Sequence, residues 1–472
     1  MLNQSDLIRI MDLKYKKIHF IGIGGIGMSG IAEILLRSGY KISGSDLNEG
    51  QLTKHLRSLG AQISIGHKAS NLGQAQAVVF SSAITNNNPE LETAKKKGLK
   101  LIHRGKMLAR LMSFRKSISI CGTHGKTSTT SLIYSILQKA GLDPTVINGG
   151  VINSLKNTAQ LGKGDWAVIE SDESDGSFLK LPITYSIVTN IDKEHLDFYG
   201  SFKVLKKYFL DFIEKTPSFG KALLCIDSNN LNSILHFCKN NNYLTYGFNK
   251  NANFRIINVR KKVDYSVFDL KIKTTKRKIY KIKNIRVNLI GDHNITNATA
   301  SIAIAINLGI KIDKIKKALK KFLGIQRRFT KIFSFGKAEF YDDYAHHPTE
   351  IRAVINGARQ VNKNRKIISV FQPHRYSRVK NLKNDFASSF SASDEVVLCP
   401  VYGAGEKLTY NFNQKDFSRL IVKKSKTQVI NIKDKNDLKN FIKKNLLSNE
   451  MVICMGAGSI SNWIREIGDE LK

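Results

Sequence analysis

Residues 118–130 read ISICGTHGKTSTT and constrain the chain more than any other stretch. Ile118 and Ile120 alternate with serines, as on a buried strand, and Gly122-Thr123-His124-Gly125-Lys126-Thr127 forms a glycine-bearing turn. From Ser128 to Ala140, Leu132, Ile133, Ile136 and Leu137 fall on one helical face. Strand, glycine loop, Lys-Thr and helix are the layout of a phosphate-binding loop. Glycines let backbone N–H groups approach phosphate oxygens and the helix N-terminus favours anions. The lysine reaches the terminal phosphates, and the threonine hydroxyl can meet Mg²⁺. This loop has two residues fewer between its first glycine and the Gly-Lys pair than the common pattern. A plain strand-to-helix turn with a surface lysine is the bland alternative, and the flanking strand and helix weigh against it.

A second glycine loop lies upstream. Lys16 to Phe20 reads as a strand, and Gly22-Ile23-Gly24-Gly25-Ile26-Gly27-Met28-Ser29-Gly30 then opens a helix through Ala32 and Leu36. A following strand, Lys41 to Gly44, ends at Ser45-Asp46. Gly22, Gly24 and Gly27 have the G-x-G-x-x-G spacing, with an acidic residue about 20 positions on, which is a dinucleotide-type fingerprint. Asp46 alone would be a turn residue or a cap. The glycines do not separate NAD from another diphosphate. Two further strands, Ala77 to Ser81 and Leu99 to Ile102, complete a small α/β domain. The second ends at His103-Arg104, where an open parallel sheet places its ligands; taken alone, Arg104 reads equally as a surface arginine.

At 472 residues the chain is too long for one ordinary core, and about three domains are expected. Its 42% apolar content suits a globular enzyme, and no apolar run approaches the ~18–20 residues of a membrane span. The start, MLNQSDLIRIMDLKYKK, lacks the apolar core of a signal peptide, and the five scattered cysteines carry no metal-ligand spacing. Both point to a reduced, cytoplasmic setting. The net charge of +37 raises the question of nucleic acid. Its lysines, however, follow structural periods. Between Lys271 and Lys283 they alternate with Ile272, Ile279 and Ile282, and between Lys311 and Lys321 they lie opposite Ile312, Ile315, Leu319 and Phe322. That is the pattern of solvated faces, which still steer anionic ligands.

More strands end in chemistry-bearing loops. Asp165 to Ile169 runs into Glu170-Ser171-Asp172-Glu173-Ser174-Asp175, a carboxylate cluster that suggests Mg²⁺ beside a phosphate loop or, alone, a solvated acidic turn. Ser186 to Ile191 leads to Asp192-Lys193-Glu194-His195. Leu223 to Asp227 is another parallel-type strand, and Phe254 to Leu289 reads as a peripheral β-rich meander. Gly291 to Asn297 opens an apolar helix with polar residues that are either caps or contacts to a base or ribose. Past a boundary near Gly324–Arg328, four strand ends carry Asp342-Asp343-Tyr344-Ala345-His346, Gln372-Pro373-His374-Arg375-Tyr376-Ser377-Arg378, Tyr402-Gly403-Ala404-Gly405-Glu406 and Gly456-Ala457-Gly458. The expected architecture is α/β in three domains. A Rossmann-like N-terminal domain spans 1–113, a central P-loop ATPase-like parallel-sheet domain 114–325, and a C-terminal Rossmann-like domain 326–472.

The stretches HFIGIGGIGMSGIAE, SGSD, CGTHGKTSTT, NGG, ESDESDGSF, VTNIDKEHLD, GDHNITNA, RRF, DDYAHHPTE, FQPHRYSR and GAGSI run in one order over nearly the whole chain. Together they resemble the Mur ligase family. The resemblance implies an ATP-dependent, amide-forming ligase of peptidoglycan precursor synthesis, with UDP-N-acetylmuramate, ATP and L-alanine as substrates and Mg²⁺ as cofactor. It implies that Gly22, Gly24, Gly25, Gly27, Met28, Ser29, Ser45, Asp46 and Arg104 surround the UDP-sugar, so the first loop would not hold NAD. Gly122, Thr123, His124, Gly125, Lys126, Thr127, Ser128, His293, Asn294, Arg328 and Asp343 would bind ATP. Thr127, Glu170 and His195 would be the metal ligands, with Lys126, His195 and Glu170 catalytic. Tyr344, His346, Arg375 and Arg378 would receive the amino acid. Neither nucleic acid nor membrane is an expected partner, and the state is monomer or homodimer. Ser128 and Ser171 depart conservatively from the family pattern. Three rivals remain: a sister ligase adding a ready-made peptide, a nicotinamide-dependent oxidoreductase on Gly22–Gly27, and a basic nucleic-acid-binding P-loop protein.

Overall fold

The computed structural model describes residues 15–239, 242–274, 278–406, 408, 412–446 and 448–471. All but the last three residues of MLNQSDLIRIMDLKYKK therefore lie outside the described residues. The described chain is α/β and forms three sheets. In the first, β1 (Lys17–Ile21), β2 (Lys41–Asp46), β3 (Gln62–Ile65), β4 (Ala77–Phe80) and β5 (Lys100–His103) are all parallel in the order β3-β2-β1-β4-β5. The chain leaves β1 towards one edge and returns to the other, so the end of β1 is a topological switch point. The helix Ile26–Arg37 starts there and buries Ile31, Ala32, Ile34 and Leu35.

The second sheet has ten strands. They are β6 (Lys116–Cys121), β7 (Thr145–Ile152), β8 (Asn157–Gln160), β9 (Trp166–Glu170), β10 (Tyr185–Val188), β11 (Lys221–Cys225), β12 (Tyr243–Gly247), β13 (Phe254–Lys261), β14 (Ser266–Lys273) and β15 (Ile279–Val287). Their order is β15-β14-β13-β12-β11-β10-β6-β9-β7-β8. β6 lies between β9 and β10, a second switch point, and its loop leads into the helix Lys126–Ala140. The β-rich stretch read as a peripheral meander forms the β15-β14-β13 edge of this sheet, with β13 pairing parallel to β12. The antiparallel β7–β8 pair has no counterpart in the sequence reading. Ile147, Ala159, Ala167 and Ile169 share one apolar core with Ile18, Phe20, Ile31 and Leu35 of the first sheet and its helix.

The third sheet runs β16-β17-β21-β18-β19-β20, from β16 (Thr330–Phe335), β17 (Ala338–Asp343), β18 (Ile367–Phe371), β19 (Glu395–Leu398), β20 (Gln428–Asn431) and β21 (Met451–Met455). Only β16 is antiparallel to its neighbour. β18 is buried throughout, as expected of a parallel strand covered on both faces. Phe371, Phe386, Phe390 and Phe417 cover one side, and Phe340, Leu438, Ile442 and Ile464 the other. The chain divides into two compact units. The first carries the first two sheets and ends at Leu323; the second is Gly324–Lys472 with two earlier stretches, Arg260–Val267 and Asn288–Ile295. Among the described residues, no helix is long and apolar enough to cross a membrane.

Candidate active site

β6 ends at Cys121 and is followed by Gly122, whose φ of +134° only glycine adopts without strain; a Cβ there would lie 2.0 Å from Thr189 Oγ1. The loop is clamped by the segment after β10. His124 N–H donates to Asn190 Oδ1 at 2.9 Å, and His124 O accepts from Thr189 Oγ1 at 2.5 Å and Asn190 Nδ2 at 3.0 Å. Asp192 N–H donates to Thr123 Oγ1 at 2.9 Å. Gly125, left-handed at φ +84°, precedes the helix Lys126–Ala140 and supplies no side-chain cap. The first-turn amides are thus oriented as in an anion site. Ser128 lies in that first turn and is buried.

Lys126 folds back over this loop. Its Nζ donates to Gly122 O at 2.6 Å and Thr123 O at 3.1 Å, and it lies 2.8 Å from Glu173 Oε2. Burial alone would pull its pKa down, but Glu173, Asp172 and Glu170 hold the ammonium well above the usual lysine range. Glu170 ends β9. Its carboxylate accepts Thr127 Oγ1 at 3.1 Å and Gly149 N–H at 2.5 Å, and burial pushes its pKa up despite Lys126. A Cβ on Gly149 would fall 2.5 Å from Glu170 Oε1, so the Asn-Gly-Gly stretch of β7 is cut to fit that carboxylate. A hydroxyl and a carboxylate 3.1 Å apart are hard oxygen donors of the kind Mg²⁺ takes beside phosphate. His195, left-handed at φ +54°, places Nε2 3.9 Å from Glu173 Oε1. Tyr199 donates its hydroxyl to Glu173 O.

The first loop is held differently. Gly22, at φ +77°, and Ile23 donate their amides to Ser45 O at 2.8 and 2.9 Å, and Gly24 N–H donates to Asp46 Oδ2 at 2.8 Å. Gly25 caps the helix Ile26–Arg37 without a side-chain hydrogen bond, and Met28 and Ser29 are buried in its first turn. A Cβ on Gly27 would lie 2.6 Å from Arg104 Nη1. Arg104 is the first residue of the helix Arg104–Met112, directly after β5, and its Nη2 lies 3.2 Å from Asp172 Oδ2 and 4.0 Å from Asp175 Oδ2. Burial would raise the Asp172 carboxyl, but Arg104 and Lys126 hold it down near about 2; its side chain is 40% exposed, so solvent screens part of that pull. The turn Asp172–Asp175 therefore touches Lys126 of the second glycine loop and Arg104, which lies beside the first. Ser45 is fully buried and its hydroxyl is committed to Glu90 at 2.5 Å, so its side chain supports the loop from behind.

The remaining expected residues belong to the second unit. Asp343, at the end of β17, accepts the amides of Phe329 at 2.8 Å and Ala345 at 2.7 Å, and burial, opposed by Arg328, lifts its carboxyl to about 6. Arg328 lies 3.9 Å from Glu350 and 5.6 Å from the Tyr344 ring centroid. Burial and Arg328 lower His293 to about 4, and Asn294 donates to Ile290 O at 2.8 Å. Tyr344 and His346 meet edge to face, and His346 lies 5.9 Å from the His374 ring. Arg378 Nη1 is 3.1 Å from His374 Nδ1, while Arg375, at φ +67°, lies 3.9 Å from Glu406. Lys126, Thr127, Glu170 and His195 thus gather around one loop of the first unit, and Tyr344, His346, Arg375 and Arg378 around the strand ends of the second.

Sequence reasoning placed Glu173 only within a carboxylate cluster suggesting Mg²⁺, and assigned no role to Gly149, Thr189, Asn190, Glu90 or His374. The pairing of Glu173 with Lys126 was open to discovery, because a buried carboxylate in the turn after β9 needs a cation. The clamp by Asn190 was not, because it depends on β10 lying beside β6.

A strand-loop-helix nucleotide site with a carboxylate turn, beside a second glycine loop, defines the class, and family models agree. Residues 17–116 match the Mur ligase family catalytic domain, 120–305 the Mur ligase middle domain and 327–458 the Mur ligase glutamate ligase domain. The chain belongs to the Mur ligase family. It is 51% identical over 454 residues to a UDP-N-acetylmuramate–L-alanine ligase of Pelagibacter ubique, covering 96% of this chain and 98% of that one. It is 42% identical over 463 residues to an enzyme of the same name from Brucella ovis, covering 98% of each. Among solved structures, a UDP-N-acetylmuramate-alanine ligase from Thermotoga maritima superposes with a TM-score of 0.82 at 28% identity, over 96% of this chain and 98% of that one.

Proposed function

We propose that this chain joins L-alanine to the carboxylate of UDP-N-acetylmuramate, with conversion of ATP to ADP and phosphate, in peptidoglycan precursor synthesis. The observation that carries this reading is the 51% and 42% identity, over nearly full length, to ligases of that name. The geometry supports it. The substrate carboxylate attacks the γ-phosphate and gives an acyl phosphate; the amine of alanine then attacks the carbonyl, and phosphate leaves as the amide forms. Both reactants of the first step are anions, so positioning and charge neutralisation supply most of the rate.

In this reading Gly122–Ser128 cradle the phosphates and Lys126 neutralises the β/γ oxygens. The family resemblance also gives His293, Asn294, Arg328 and Asp343 to ATP. Thr127 and Glu170, with His195, would hold Mg²⁺, which would supply charge neutralisation at the phosphates. Gly22–Ser29, Asp46 and Arg104 hold the sugar diphosphate, and Ser45 fixes their loop from behind. Arg375 and Arg378 pair with the alanine carboxylate in the bidentate way guanidinium allows, beside Tyr344 and His346. The division of labour into 1–113, 114–325 and 326–472, a cytoplasmic setting, the absence of nucleic-acid and membrane partners, and a monomer or homodimer belong to the same proposal.

The test is product mass after incubation with ATP, Mg²⁺ and UDP-N-acetylmuramate, offering L-alanine, other amino acids or a tripeptide. An alanyl product is expected. A product formed with the tripeptide alone would assign the chain to the peptide-adding sister ligase, and no product with any acceptor would end the ligase reading.

A further inference from the structure

Glu90 is completely buried, and the chemistry above does not use it. It lies at the start of the helix Pro89–Lys96, which packs beside the first sheet. Its Oε2 accepts Ser45 Oγ at 2.5 Å and faces His19 Nε2 at 3.4 Å and His67 Nδ1 at 3.6 Å. Its Oε1 accepts Asn71 Nδ2 at 2.5 Å and Lys68 N–H at 3.2 Å. Burial would raise the carboxyl, but hydrogen bonds from His19, Ser45 and Asn71 outweigh it and bring the pKa to about 2. The group is a charged anchor inside the domain.

What it anchors is the first glycine loop. The Ser45 carbonyl takes the amides of Gly22 and Ile23, and the next residue, Asp46, takes that of Gly24. Three consecutive loop amides are therefore placed by two residues, and one of those residues is fastened by Glu90. His67 Nδ1, 2.9 Å from Ser45 Oγ, and the His19–Ser43 contact at 2.9 Å brace the same strand end. We propose that Glu90 is a positioning residue for the diphosphate loop, setting the affinity for UDP-N-acetylmuramate through Ser45 without touching the ligand. This rests on reading the first loop as the sugar-nucleotide site. A carboxylate that served the fold alone would alter melting temperature and yield of folded enzyme, and would leave every KM of the folded fraction unchanged.

The experiment compares the full-length wild type, Glu90→Gln, Ser45→Ala and the double variant in steady-state kinetics, with UDP binding by calorimetry alongside. Glutamine keeps the shape but only one acceptor oxygen. Glu90→Gln should raise the KM for UDP-N-acetylmuramate about tenfold, matching the loss of one hydrogen bond to a charged group, with kcat and the KM values for ATP and alanine within about twofold. Ser45→Ala should raise the same KM by less. The double variant should be no worse than Glu90→Gln, because both act along one path. An unchanged KM, an equal rise in all three, or multiplying effects in the double variant would overturn the proposal. If Glu90→Gln fails to fold, Ser45→Ala carries the test, and an unchanged KM there overturns it. A wild type that binds UDP but makes no alanyl product would sink the ligase reading alone. UDP affinity unchanged by Glu90→Gln would sink the positioning role alone.

Discussion

The loop after β1 and the loop after β6 are built alike: each follows a buried parallel strand at a switch point, turns on a left-handed glycine and opens a helix capped by a glycine with no side-chain bond. Charge separates them. The first is fastened by a backbone carbonyl and one aspartate and has a single arginine beside it. The second carries Lys126 within reach of Glu173 and Glu170 packed on Thr127. On the proposed reading, the same backbone binds a phosphate in one loop and acts on it in the other. A cradle of amides suffices to hold a diphosphate, whereas phosphoryl transfer between anions needs fixed cations and carboxylates that orient them.

The largest expected effect breaks that contrast. Lys126→Ala should lower ATP turnover by at least about 10³-fold while UDP binding stays within about twofold. Because it leaves Glu173 buried without its cation, it should also destabilise the protein by about 3 kcal/mol, and adding Glu173→Gln should restore part of that in a melting experiment. Equal loss of ATP turnover and UDP binding would mean that the two loops are not separate sites.

Next in size is the acid stability of the first sheet. Glu90 ionises near pH 2 in the folded chain and near 4.5 when unfolded, so its contribution is present above pH 4.5 and drains as pH falls towards 2. Glu90→Gln should remove about 3 kcal/mol of that dependence between pH 4.5 and 2, read from urea midpoints. An unaltered acid limb would mean that the buried cluster is not charged.

The smallest effect sharpens the comparison from the other loop. A Cβ on Gly24 would lie 2.9 Å from both Asp46 Oδ2 and Thr53 Cγ2. Gly24→Ala should raise the KM for UDP-N-acetylmuramate about fivefold and leave kcat within about twofold, as expected when binding is lost and chemistry is kept. A fall in kcat with unchanged KM would put the first loop in the chemistry.

Local patterns made much of this legible. Ile118 and Ile120, the Gly22-x-Gly24-x-x-Gly27 spacing and the apolar run into Glu170 each announce a buried strand ending at a ligand edge, because strand period and glycine conformation are written in adjacent residues. Pairings across the sheet are not. Gln62–Ile65 and Gln428–Asn431 are edge strands of four residues, too short for their pattern to stand out, and tertiary pairing reveals them. The grip of Asn190 on His124, the packing of Gly149 on Glu170 and the fastening of Ser45 by Glu90 join residues 66, 21 and 45 positions apart. Ser45 shows the limit most clearly: sequence puts it beside the sugar nucleotide, while its hydroxyl faces inward. Arg104 was read at a strand end and in fact opens the following helix, where its reach to both Gly27 and Asp172 comes from that first turn.

The fate of the substrate oxygen tests the acyl phosphate most directly. UDP-N-acetylmuramate labelled with heavy oxygen in both carboxylate positions should be turned over with ATP and L-alanine, and the released phosphate weighed. If the carboxylate attacks the γ-phosphate and the acyl phosphate then yields to the amine, one labelled oxygen must appear in each phosphate and the other must remain in the amide. Phosphate without label, formed alongside the alanyl product, would contradict an acyl phosphate and with it the role given to Lys126 and its loop.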